Sequence, residues 1–125
     1  MRRQSKQKLN WEYEADMLAA FAKDPLLCMR AICALYRQQT NEEKRGKSSL
    51  YQNRRGFDKL HALRGSLLAE FLTENDPFGP MKKSVQDLEK HNSKGVQYCR
   101  DLAIHHSKQL FEIYKNDEDP HFPQR

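Results

Sequence analysis

The chain is poor in residues that break or cross-link structure. Glycine and proline number five each in 125 residues, and the glycines do not cluster. No G-x-G-x-x-G, P-loop or G-x-S-x-G pattern occurs, so phosphate-cradling loops and a nucleophile elbow have no support. Cysteine is scarce as well. Cys28, Cys33 and Cys99 are odd in number and form no C-x-x-C pair, which argues against a disulfide framework or a zinc-ribbon spacing. No apolar run approaches the roughly 20 residues that span a bilayer, so no membrane partner is expected. The opening Met1-Arg2-Arg3-Gln4-Ser5-Lys6 is followed by no apolar stretch and does not read as a signal peptide. Reduced thiols in the nucleus, or alternatively the cytoplasm, are therefore expected.

Charge is abundant and uneven. The net +5 conceals a +4 arm over residues 1–8 and a segment over 44–66 with seven bases and one acid, separated by acidic stretches. Hydrophobic residues make up only 38% of the chain, while 31% is charged. Helices suit that balance, because each buries one stripe and leaves the rest to water.

The apolar spacing predicts an all-α fold, a compact bundle of about five helices with a polar basic loop between the second and third. Helix A is expected from Asn10 as N-cap, with Trp11, Ala15, Leu18, Phe21 and Ala22 on its buried face. Asp24-Pro25 ends it and starts helix B, which runs to about Gln39 with a broad apolar face. Residues 40–55 read as loop. Helix C spans Asp58 to Thr73, with Leu60, Leu63, Leu67, Leu68, Phe71 and Leu72 as its stripe and Gly65 suggesting close approach of another helix. Helix D covers Met81 to Lys90. Helix E, capped by Ser93, continues to Lys115. A–B and D–E form helical hairpins. The chain thus divides into a flexible basic arm (1–9), one helical domain (10–115) and a loose acidic, proline-containing tail (116–125).

Five histidines invite a metal or acid–base reading. His105 and His106 are adjacent, so on a continuous helix their side chains point about 100° apart and do not readily share one ion. Asp101 and His105 stack at i, i+4, an ordinary surface contact or a carboxylate orienting an imidazole. A site from the distant His61, His91 and His106 has no spacing to support it. No H-E-x-x-H or EF-hand loop occurs, and neither a metal, a cofactor nor catalysis is expected.

The expected function is docking. The protein reads as a non-enzymatic interaction module that binds a protein partner or itself, with Trp11, Tyr13, Met29 and Phe78 as candidate contacts. The alternative is DNA or RNA binding through Lys44, Arg45, Lys47, Arg54, Arg55, Lys59 and Arg64 together with the N-terminal arm, with Tyr51 and Phe57 interleaved for stacking. Lys44-Arg45 and Arg54-Arg55 are also spaced like a split nuclear-import signal.

Overall fold

A computed structural model describes residues 11–46, 57, 61–76 and 78–122, with the side chains of 40–46 outside that description. Six helices pack together among the described residues, and none of these residues is in a strand. The helices are α1 (Glu14–Lys23), α2 (Pro25–Gly46), α3 (Ala62–Thr73), α4 (Val85–His91), α5 (Gly95–His105) and α6 (Ser107–Lys115). No helix among the described residues is long and apolar enough to cross a membrane.

Helix α2 is the axis of the bundle. Asp24 caps it by accepting the Leu27 amide at 3.1 Å, and Pro25 occupies the first turn, where its missing N–H costs nothing. Its side chains from Leu27 to Met29 and from Ala31 to Leu35 are all buried, so apolar residues surround this part of the helix. Such a helix needs cover on every side. Helices α1, α3, α5 and α6 supply it. The helix also runs past the expected end at Gln39 to Gly46. The run Glu42-Glu43-Lys44-Arg45 consists of good helix formers and holds no breaker before the glycine.

Three other boundaries differ from expectation. Asn10 lies outside the described residues, and α1 starts at Glu14, because the Asp16 carboxylate reaches back to accept the Glu12 and Tyr13 amides at 2.9 Å. Its buried residues are accordingly Met17 and Phe21, while Ala15 and Ala22 face outward. Helix α4 is capped reciprocally: Ser84 Oγ accepts the Asp87 amide, and Asp87 accepts the Ser84 amide. Hydrogen bonding to its carboxylate, first from the Ser84 amide and then from the Ser84 hydroxyl, holds the Asp87 carboxyl below its ordinary range. Helix E is two helices. The chain leaves α5 at His106, whose backbone (φ −104°, ψ 25°) is also the cap of α6. Within the α4–α5 hairpin, Gly95 lies against Leu88, where a Cβ would approach the leucine side chain to 2.7 Å.

The tail is not loose through Phe122. Arg37 on α2 and Asp119 form a bidentate pair, Nε–Oδ2 at 2.7 Å and Nη2–Oδ1 at 2.9 Å. Both side chains are buried. Asp119 Oδ1 also accepts the His121 and Phe122 amides, and Arg37 Nη1 donates to the Gly79 carbonyl. Phe122 then packs near Trp11, whose amide donates to the Tyr114 hydroxyl at 2.9 Å. The two ends of the described chain thus close over α2 and α6. Asp119→Ala leaves a buried guanidinium unpaired, and a loss of about 3–5 kcal/mol is expected in urea unfolding. Substituting the exposed Glu89 provides the comparison.

Candidate docking groove and histidine cluster

Helix α3 presents two leucines to solvent. Leu63 is 75% exposed and Leu67 is 58% exposed, although both belong to the expected buried stripe. The buried face is instead Gly65, Leu68, Ala69, Leu72 and Thr73. Leu63 and Leu67 lie four apart, hence on one face. They line an open groove of about 680 Å³ whose other walls are His61, Arg64, Leu68, His91, Asn92 and Tyr98. Among the described residues no carboxylate lines it. The Arg64 guanidinium lies 4.1 Å from the Tyr98 ring centroid, a cation–π contact that orders the basic wall. The His91 ring stacks on Phe71 at 4.0 Å between centroids.

At one end of the groove His61 meets His105 and His106. Ring centroids are 4.6 Å apart for His61–His105, 5.9 Å for His61–His106 and 4.9 Å for His105–His106. One ligand-type atom from each residue lies within 4.8 Å of the others. The histidine-turn between α5 and α6 permits this. A straight helix would splay the adjacent side chains, but the break brings both rings to the residue preceding α3. Of the distant trio considered from the sequence, His61 and His106 meet, while His91 is engaged with Phe71. Asp101 accepts from Gln97 at 2.8 Å. Phe57 contacts His106 edge-on at 5.8 Å, and its ring occupies the space where a Cβ on residue 65 would stand. The close approach that Gly65 allows is therefore made by an aromatic ring from the preceding segment.

The residues singled out from the sequence are dispersed. Trp11 and Met29 are buried in the core and present no docking surface. Tyr13 and Phe78 are 67% and 47% exposed, respectively, and neither lines the groove. Among the basic residues, Arg64 is on the groove wall. The Lys44 and Arg45 backbones belong to α2, with side chains outside the description, and Lys47, Arg54, Arg55 and Lys59 lie outside the described residues, as does Tyr51. Leu63 and Leu67, which line the groove, read from the sequence as core. The i, i+4 leucines were visible in sequence but indistinguishable from core.

A second cleft of about 530 Å³ is lined in part by Arg30, Arg37, Lys83 and His121. Its charges are largely committed: Arg37 pairs with Asp119, and Lys83 with Glu74 at 3.2 Å.

All three thiols are buried. Burial pushes Cys28 up to about 11 against the opposing pull of Arg100, and Cys33 up to about 12 against that of Arg37. Burial raises Cys99 too, with Cys33 and Cys28 adding to it. The folded chain therefore holds neutral, unreactive thiols near pH 7, and a disulfide-exchange reagent should label them only on unfolding. The unfolded thiols ionise near 9.0 and the folded ones higher. Stability attributable to them is thus level below that pH and falls above it, by up to about 1.4 kcal/mol per pH unit for each thiol. Reducing urea titrations at about pH 8 and about pH 10, compared with a Cys33→Ala/Cys99→Ala chain, measure the slope. No family model, curated protein or solved structure matches the chain.

Proposed function

We propose that the chain is a non-enzymatic docking module whose α3 groove takes an acidic amphipathic helix from a protein partner. The observation that carries this reading is the pair of solvent-facing leucines, Leu63 and Leu67, in a groove whose charged lining among the described residues is basic or imidazole. A partner helix laid into a groove uses apolar anchors three or four residues apart. Leucines four apart match that repeat. Arg64 beside Tyr98, with His61 and His91 at the groove's margins, favours carboxylates flanking the anchors. The basic segment 44–66 adds long-range attraction for the same acidic partner. Its paired basic clusters support a nuclear location.

Fully burying two leucines stabilises a complex by about 3 kcal/mol, on the order of 100-fold in affinity. A synthetic helix carrying leucines four apart between glutamates is the probe, read by fluorescence anisotropy. Saturable binding is expected, with Leu63→Glu/Leu67→Glu weakening it on the order of 100-fold while leaving thermal stability unchanged. Failure to bind the peptide overturns the reading. Steeply salt-dependent binding of single-stranded RNA or duplex DNA that ignores the leucine substitutions assigns the surface to nucleic acid instead. A dimer abolished by those substitutions assigns it to a second copy of the chain.

A further inference from the structure

We propose that His61, His105 and His106 form a binding site for a divalent transition-metal ion of the zinc type, at the joint between α5 and α6. The inference stands independently of the groove's occupant, although His61 borders both. Three features converge on it.

The first is proximity without a shared element. His61 precedes α3, His105 ends α5 and His106 is the turn into α6. Three imidazoles are thus gathered from two separate parts of the chain, with ligand-type atoms within 4.8 Å of one another. At zinc–nitrogen distances of about 2.0–2.1 Å, tetrahedral ligand atoms lie about 3.4 Å apart. The remaining contraction is at most about 1.4 Å, within reach of side-chain rotation, because His105 is exposed and His61 only half-buried.

The second feature is the hydrogen bond that orients His106. Its Nδ1 lies 2.8 Å from the Leu102 carbonyl oxygen. A carbonyl only accepts, so Nδ1 carries the proton and the neutral ring places its lone pair on Nε2. A backbone carbonyl fixing the opposite ring nitrogen is the outer-layer support that metal-binding imidazoles use. The buried His106 ring is held further by Phe57 on its edge, which in turn rests on the bare backbone of Gly65. One ligand is thereby preset, and two can close onto it.

The third is donor chemistry. The three-residue cluster offers imidazole nitrogen and no carboxylate. Magnesium and calcium select oxygen, whereas zinc, copper, nickel and cobalt accept imidazole. Three protein ligands leave a fourth position for water or another donor. Metal binding would tie the start of α3 more firmly to the α5–α6 joint, two places already in ring contact there.

The test uses the complete chain without an affinity tag, stripped of metal by a chelator. Titration with Co2+ should give the visible absorption of tetrahedral coordination at one equivalent, and Zn2+ should displace it. His61→Ala and His105→Ala should each weaken zinc binding by at least about tenfold and abolish the zinc-dependent rise in Tm. His91→Ala and His121→Ala should leave both unchanged. His105 is exposed, so its replacement tests ligation without disturbing the core. Absence of saturable zinc binding at micromolar metal overturns the proposal. So does binding that survives His61→Ala and His105→Ala, or that His91→Ala reduces equally.

Discussion

Helix α2 buries an apolar side chain at every position from Leu27 to Leu35 except the exposed Arg30, and the architecture follows from the need to keep water off them. One antiparallel neighbour covers one stripe. Covering the rest takes α1, α3, α5 and α6, with the segment after α6 closing the end where Arg37 emerges. Arg37 makes that closure specific. A guanidinium inside the bundle requires a carboxylate with matched geometry, and Asp119 meets it while also accepting two backbone amides. The terminal segment is consequently part of the core: Phe122 and Trp11 lie beside Tyr114, and the beginning and end of the described chain meet.

With α2 enclosed, an open groove forms where α3 has apolar residues left over. Helix α3 faces α2 through Leu68, Ala69 and Leu72, and Tyr36 and Gln39 of α2 hydrogen-bond to Glu70 and Ser66. Those contacts fix its rotation and leave Leu63 and Leu67 outside. The same rotation sets Arg64 over Tyr98 and His61 against His105. Groove and histidine cluster are therefore two consequences of one helix orientation. They differ in chemistry: the groove offers apolar area with a positive rim, and the cluster offers three imidazoles, one of them held by a backbone carbonyl.

Much of the fold was legible. The all-α class, the Asp24-Pro25 junction, the central position of α2, the α4–α5 hairpin and the burial of the cysteines follow from caps and apolar spacing, which are local properties. The misreadings share a cause. The tail seemed loose because Asp119 and Phe122 carry no periodic signal, and their partners are Arg37, far away in sequence, and Trp11. Helix E read as continuous because its stripe resumes after His106 in nearly the same phase. Leu63 and Leu67 read as core because the apolar stripe within α3 (Leu63, Leu67, Leu68, Phe71 and Leu72) is wider than the face that α2 and α5 can cover.

The sequence by itself determined that the fold is all-α, that the broadest apolar face belongs to α2 and that positive charge gathers in two segments, since each depends on residues within a few turns of one another. Tertiary structure alone decided which leucines of α3 stay in water, where Arg37 finds its carboxylate and whether two adjacent histidines face one point. The physical reason is that these depend on the rotation and breaking of helices against one another. That rotation is set by the summed packing of distant side chains, which leaves no trace in local spacing.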